Sequence, residues 1–432
     1  NFLLFGGDAK DAFAHSPSPE VPTFMMIDNQ YYEWYLYKFN IKLDKSRILP
    51  VLRALQGHPE SGKLWEQHIN NILKCPQLGF KHTTHDRTIY QAVFKGHKVL
   101  LLRQVDDLMI QTDNEDVAKE IFKIIGLKLQ LKNETEPPFA YLGLTTDFNG
   151  VDIEQSKTHI MISCENYIDR MVQAHKWEKL PNKVCDTTTK TPSPLPDKCL
   201  NEIFGVDGPD EHTPAAVKLE QEYGFAYRTL LGEMMYAYVT CRPDIGYAIT
   251  TMSKFSTKPS AKHYELLRGI GKYLRLTKDW GIKFKRTIPN PALDDTKFKT
   301  NVELPSNLPE FTVDINQPKL IAFVDASYAN DPRKRRSTTG FVFTYCGGAI
   351  VYRSKSQSIT ALSSTEAEFL AAVSCAKIAL YLRSILDELG FGDPEPTQIY
   401  EDNASTIMIV NSQVPTERAR HIYVQYFAIQ DW

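Results

Sequence analysis

Two adjacent aspartates, Asp106 and Asp107, stand between the apolar runs Val99–Leu102 and Leu108–Ile110 in the stretch KVLLLRQVDDLMIQT. Asp is disfavoured in strands, and a lone buried carboxylate is costly unless something neutralises it. A strand–turn–strand with Asp-Asp at its tip gathers negative charge at one point, which a shared proton or a cation must offset. Asp8, shortly after the apolar run FLLF, is the candidate third carboxylate. Such a set of hard oxygens suits Mg²⁺. Two ions ~4 Å apart would activate an attacking hydroxyl and stabilise a leaving group at phosphorus. The same residues also fit a plain hairpin, because Asp is common in turns.

A second constellation lies near the other end. LIAFVDASY places Asp325 at the end of an apolar run, SSTEAEFLAAV carries Glu366 and Glu368, and IYEDNAS brings Asp402. Ser363 and Glu366 have the S-x-x-E spacing of a capping box, which assigns Glu366 to a helix start. Glu368 lies further into the helix, followed by Ala371 and Ala372, small enough for another element to approach. Three carboxylates from three elements repeat the Mg²⁺ logic, with water as the nucleophile. The run Arg333, Lys334, Arg335, Arg336 reads either as a solvated charge run or as a grip on phosphates with measurable salt dependence.

The elements that must position these groups alternate in kind, so the expected fold class is α+β. In the block 1–156, FLLFGGDA and KVLLLRQ have strand character, while ESGKLWEQHINNILK and EDVAKEIFKIIGLKL have helical spacing. The block 157–284 looks mostly helical, with YGFAYRTLLGEMMYAYVT and KHYELLRGIGKYLRL its clearest segments. Within it, CRPDIGYAI predicts a helix start after Pro243. Lys254, Lys258, Lys262, Lys272 and Arg275 could line phosphates or simply form a solvated face. Two segments, 181–214 and 285–319, are rich in proline and read as connections. The block from 319 to 432 opens as a β meander, continues as a long helix 364–389, then a strand QIY, a short helix and a final helical stretch.

With 432 residues, 42% hydrophobic and 24% charged, the chain has the balance of a globular protein of several domains. A net charge of −2 does not announce a nucleic-acid binder, although patches still can do that work. Its seven cysteines are scattered without a C-x-x-C pair, which argues for a reducing, intracellular setting and against a zinc site. No apolar run approaches the ~20 residues of a membrane span, so no membrane partner is expected. The chain does not begin with Met and reads as a piece of something longer.

GDAKDAF, ALQGHPESGKLWEQHI, QVDDLMI and AYLGL occur in the order and near the spacing found in reverse transcriptases of the Ty1/copia retrotransposon class, and this block resembles them. YRTLLGEMMYAYVTCRPDIGYAI is similar to a further copia stretch, and QGHPESGKLWE looks most like copia elements of diatoms. The last block resembles the ribonuclease H domain of the same elements. The resemblance implies a palm over 1–156 with most of the fingers missing, a thumb and connection over 157–284, a linker over 285–318 and a ribonuclease H domain over 319–432.

It also implies roles. Asp8, Asp106 and Asp107 would bind metal for polymerisation, and Asp325, Glu368 and Asp402 for RNA cleavage, each set holding two Mg²⁺ or Mn²⁺ ions. Phe13 falls at the steric-gate position, and Gln56 with Gly57 at the contact to the incoming nucleotide. Implied partners are an RNA template with DNA primer, dNTPs and RNA/DNA hybrids; implied locations are cytoplasmic virus-like particles and the nucleus.

Three departures from the family pattern stand out. Gln104 replaces the usual Tyr before V-D-D, Tyr423 replaces the fourth ribonuclease H carboxylate, and few residues precede Asp8. Tyr is a poor Mg²⁺ ligand near neutral pH. His421, beside it, reads as a proton shuttle or as an ordinary surface histidine. The departures leave two alternatives: ribonuclease H activity alone, or a catalytically dead nucleic-acid-binding relic.

Overall fold

The computed structural model describes residues 2–131, 138–178, 193–196, 203–291, 293, 314 and 317–411. Tyr423, His421, the final helical stretch and most of both proline-rich segments lie outside the described residues. The chain divides into two compact units, Asn1–Asn149 and Gly150–Trp432.

In the first unit, strands β1 (Leu3–Ala9), β2 (Phe24–Met26), β3 (Ile48–Pro50), β4 (Lys81–His82), β5 (Ile89–Phe94), β6 (His97–Gln104), β7 (Asp107–Thr112), β8 (Phe139–Leu144) and β9 (Asp147–Phe148) alternate with helices α1 (Asn29–Phe39), α2 (Ser61–Leu73) and α3 (Glu115–Leu129). Six strands form one sheet in the order β4-β5-β6-β7-β1-β8. Leu64, Trp65, Ile69, Ile72 and Leu73 supply the buried seam of α2, as their helical spacing predicts. Helix α3 starts where the Asn114 side chain accepts a hydrogen bond from the Asp116 N–H (2.9 Å). Its buried stripe of Val117, Ala118, Ile121, Phe122, Ile125 and Leu129 joins Phe5, Leu101 and Ile110 in one core. Each fully buried Val, Leu, Ile or Phe among them contributes roughly 1.5–3 kcal/mol. Helix α1 buries none of its residues, so it has no core-facing stripe for the sequence pattern to reveal.

The second unit begins with strands β10 (Val151–Gln155) and β11 (His159–Ser163), and β12 (Gly281–Lys285) later pairs on the far side of β11. This sheet places 151–155 with the second unit, because β10 hydrogen-bonds along β11 from Asp152↔Ser163 to Gln155↔Ile160. It also adds strands to a block whose sequence looks mostly helical. The helices are α4 (Glu165–Ala174), α5 (Pro214–Tyr223), α6 (Tyr227–Thr240), α7 (Gly246–Ser253) and α8 (Ala261–Leu276). Pro243–Ile245 forms one 3-10 turn running into α7, the start that CRPDIGYAI predicts. Arg242, 1% exposed, donates to both Asp244 oxygens (2.9 and 2.6 Å) and to the Thr277 carbonyl (2.9 Å), tying this turn to the end of α8.

The remainder of the unit is a four-stranded sheet of β13 (Ile321–Ser327), β14 (Thr338–Tyr345), β15 (Gly348–Ser356) and β16 (Gln398–Tyr400), covered by helix α9 (Ser364–Glu388) and followed by α10 (Ala404–Asn411). The order is β15-β14-β13-β16, with β16 parallel to β13 and the others antiparallel. Ala367, Ala371, Cys375 and Ala379 form the face of α9 packed on the sheet, and their small size permits the close approach. By length and composition α9 is apolar enough to cross a membrane, which corrects the reading that no run approaches that length. In this fold it is the core helix of the sheet.

The capping expectation holds with a shift. The Ser363 hydroxyl oxygen accepts from the Glu366 N–H (3.1 Å), but the Glu366 carboxylate accepts from the Leu362 N–H (2.6 Å), one residue before the cap. The meander is not separate from the helical block within this unit: the Ser354 N–H donates to the Tyr238 hydroxyl (3.0 Å) and Thr250 Oγ1 meets Ser354 Oγ (3.1 Å).

Candidate metal centres

In the first unit, Asp8 on β1 lies opposite Asp107 on β7 in the antiparallel register. Gln104 pairs with Asp107 across the β6–β7 hairpin, leaving Val105 and Asp106 as its two-residue turn. Val105 has φ of 55°, a left-handed conformation that a β-branched residue adopts only under constraint. The constraint is visible. The Trp65 indole N–H donates to the Val105 carbonyl (2.6 Å), and the Ala9 N–H donates to the Asp106 carbonyl (3.1 Å). The α2 seam thus fixes the tip that carries the aspartates. Gly7 is required here by packing: a Cβ would fall 2.5 Å from the Phe139 ring and 2.8 Å from the Phe122 ring.

Burial and the neighbouring Asp106 charge push the Asp8 carboxyl above its ordinary range, with Lys10 opposing. Asp107 is raised by burial and then by Asp106 and Asp8, while an N–H donated by Asn149 opposes. The register therefore brings these carboxylates into one neighbourhood. Phe13 lies in the 3-10 turn Ala12–His15, half-buried against the core. Gln56 and Gly57 are exposed in a turn, with Gly57 at φ 88° and nothing within 4 Å of a Cβ placed there.

The second set is gathered more tightly. Ligand oxygens of Asp325, Glu368 and Asp402 all lie within 4.8 Å of one another, the one carboxylate, cysteine or histidine trio that does so among the described residues. Asp325 is on β13, Glu368 on α9, and Asp402 follows β16. Asp325 and Asp402 are exposed, whereas Glu368 is 7% exposed and its Oε2 has no hydrogen-bond partner among the described residues. The Ala326 N–H donates to the Glu368 carboxylate. Burial, followed by the charges of Glu401 and Asp325, pushes the Glu368 carboxyl up to about 7. An all-carboxylate donor set with an orphaned buried oxygen fits a hard divalent cation such as Mg²⁺ or Mn²⁺.

The basic run is only partly available to a ligand. Arg333 pairs with Asp207 (3.2 Å), donates to the Phe204 carbonyl (3.3 Å) and lies over the Phe255 ring. Backbone N–H groups of Arg333 and Lys334 donate to the Asp331 carboxylate, and Arg335 has φ of 52°, so the run is a tight turn. Lys334 and Arg335 are exposed and Arg336 is half-buried. In the helical block, Lys254 pairs with Asp331 (4.0 Å), Lys258 with Asp210 (2.6 Å) and Lys262 with Glu265 (3.9 Å). Arg275 donates to the Trp177 carbonyl (2.6 Å), and Lys272 is half-buried. Glu401, next to Asp402, is a carboxylate that the sequence reading passed over.

Fold and sites together define an α+β chain with two separate carboxylate clusters, one at the antiparallel β1/β7 register and the β6–β7 hairpin tip, the other across the parallel β13/β16 pair and helix α9. The comparisons agree with that class. Residues 26–189 match the family described as reverse transcriptase (RNA-dependent DNA polymerase), a range that includes Gln56, Gly57, Asp106 and Asp107 but not Asp8 or Phe13. The chain is 26% identical to the retrovirus-related Pol polyprotein from transposon TNT 1-94 of Nicotiana tabacum, over 98% of this chain and 27% of that protein. It is 24% identical to the Pol polyprotein from transposon RE1 of Arabidopsis thaliana, over 90% of this chain and 23% of that protein. It is also 31% identical to the secreted RxLR effector protein 161 of Plasmopara viticola, over 36% of this chain and 90% of that protein. The chain belongs to the reverse transcriptase region of copia-type retrotransposon polyproteins. It spans about a quarter of the length of the two Pol relatives.

Proposed function

We propose that this chain is an RNA-directed DNA polymerase and ribonuclease H of a copia-type retrotransposon, acting on an RNA template with DNA primer, on dNTPs, and then on the RNA strand of the hybrid. The observation that carries the nuclease part is the convergence of Asp325, Glu368 and Asp402 from three elements. These residues would hold two divalent cations, Mg²⁺ or Mn²⁺, which when bound supply an activated water and charge neutralisation at the scissile phosphate. The protein's own part is positional. The Ala326 N–H orients Glu368, the β13–β16 pairing sets Asp325 beside Asp402, and the small face of α9 brings Glu368 down to both. Asp8, Asp106 and Asp107 take the equivalent role in the polymerase, with Phe13 screening against a ribose 2′-hydroxyl and Gln56 and Gly57 contacting the nucleotide. Lys334, Arg335 and Arg336 offer cations to hybrid phosphates. Cytoplasmic virus-like particles and the nucleus are the proposed locations.

The test is cleavage of a labelled RNA/DNA hybrid in Mg²⁺ or Mn²⁺, beside an Asp402→Asn control. Metal-dependent cleavage lost in the control supports the reading; hybrid binding without cleavage in either metal sinks it in favour of a binding relic. A nuclease-only reading has one observation in its favour: Asp8, Asp106 and Asp107 do not form a trio as tight as the second set. Primer extension by the same preparation decides between the two.

A further inference from the structure

Helix α9 covers one face of the β13–β16 sheet. Val324 and Ala326 pack beneath it, so Asp325 between them faces the opposite way. Register puts Gly340 of β14 beside Asp325, and Ser354 of β15 beside Gly340. These three share the face away from α9. A Cβ at Gly340 would meet nothing closer than the Asp325 carbonyl oxygen at 3.8 Å, so the sheet leaves open space next to that carboxylate.

Over this open floor lies a cavity of about 550 Å³. Phe323 and Val342 continue its sheet side, while Tyr238 of α6 and Asp244 in the turn before α7 bound it from the helical block. Its rings are supported from behind: Phe323 stacks on Tyr400 (centroids 5.3 Å apart, planes 20° apart), and Tyr352 packs on Tyr238 (5.7 Å). Asp325 lines this cavity and is also a member of the trio with Glu368 and Asp402. An apolar, ring-walled cavity with few polar groups suits a flat organic ligand. Continuity with a centre built to hold divalent cations selects a ligand that also carries a phosphate, since cations there attract it where bare carboxylates repel it.

We propose that this cavity seats the base and ribose of an unpaired nucleotide whose phosphate rests on the cations held by Asp325, Glu368 and Asp402. This rests on the reading that the trio binds divalent metal. A base inside a duplex is held by pairing and stacking, so the ligand is a free nucleoside monophosphate or a nucleotide at the end of a strand. Gly340 is the residue that makes room, because a side chain there projects into the cavity beside Asp325.

The experiment is equilibrium dialysis of adenosine 5′-monophosphate against the Mn²⁺-saturated full chain, in an Asp107→Asn background that disables the first cluster. Ribose 5-phosphate is the probe without a base, and adenosine the probe without a phosphate. The monophosphate is expected to bind at least about tenfold more tightly than either, the scale of one stacked base. Gly340→Leu is expected to erase its advantage over ribose 5-phosphate while Mn²⁺ binding, read by electron paramagnetic resonance of the free ion, is kept. Equal binding of the monophosphate and ribose 5-phosphate by a parent that binds Mn²⁺ overturns the proposal and leaves the metal reading standing. An advantage that survives in Gly340→Leu overturns it as well. If Gly340→Leu lowers the melting temperature or the Mn²⁺ affinity, Val342→Phe decides: an advantage lost with Mn²⁺ binding kept supports the seat, and an advantage kept overturns it. A parent that binds no Mn²⁺ removes both the proposal and the metal reading beneath it. A 5′-phosphorylated oligoadenylate separates the two sources, since competition with the monophosphate extends the seat to strand ends and its absence restricts the seat to the free nucleotide.

Discussion

The two carboxylate clusters solve the same electrostatic problem differently. Asp106 and Asp107 are neighbours in the chain, brought opposite Asp8 by a single hairpin and one strand register. Asp325, Glu368 and Asp402 come from a strand, a helix and a post-strand loop, and their oxygens already meet within 4.8 Å. In the first cluster Asp106 lies in the turn and Asp107 opens β7. In the second, convergence of separate elements buries Glu368 more deeply than either Asp8 or Asp107. The first cluster depends instead on a strained turn, with Val105 held in the left-handed region by Trp65.

The largest effects should separate the clusters outright. Asp402→Asn is expected to slow hybrid cleavage at least about a hundredfold, ~2.7 kcal/mol in the barrier, while primer extension is retained. Asp107→Asn should do the converse. Loss of both activities in either variant would break the comparison, and single-turnover assays on one preparation read it directly.

Trp65→Phe should destabilise the first unit by about 1–3 kcal/mol, since the Val105 carbonyl loses its donor. Extension should fall with hybrid cleavage unaffected, as denaturant melts and paired assays would register.

Glu368 supplies a pH signature that the first cluster lacks in this form. Its folded value of about 7 lies above the ordinary 4.5, so the folded chain retains a proton that the unfolded chain releases. Its contribution to metal-free stability is therefore complete below pH 4.5 and lost as pH rises through 7. At subsaturating Mg²⁺, cleavage should rise over the same window, because the cation competes with that proton. A melting temperature flat from pH 4.5 to 8 in the metal-free chain, when Glu368→Gln is equally flat, would contradict this.

The smallest effects concern the basic turn. Removing Lys334, Arg335 or Arg336 should each lower the log–log salt slope of hybrid binding by up to about 0.9. Arg333→Ala should instead lower the melting temperature with the slope nearly kept, since Arg333 is engaged by Asp207 and Phe204. Equal slopes for all four variants would remove the distinction.

Much of this was legible in the residues. The buried stripes of α2 and α3, the cap at Ser363 and the meander before α9 follow from period and capping chemistry that act within a few residues. So does the placement of an aspartate at the end of β1, at a hairpin tip and at the end of β13. Helix α1 escaped because it buries no face, and the β10–β11–β12 sheet because its third strand is over a hundred residues away.

What only the tertiary structure decided is who meets whom. Register sets Asp8 against Asp107, parallel pairing of β16 on β13 sets Asp402 beside Asp325, and helix packing lowers Glu368 between them. Whether Arg333 faces a ligand or Asp207 is settled the same way. Sequence determines which side chains carry charge and which way each element alternates, because those are local. Distances between elements depend on contacts made far along the chain, and the free energy of a buried carboxylate depends on those distances.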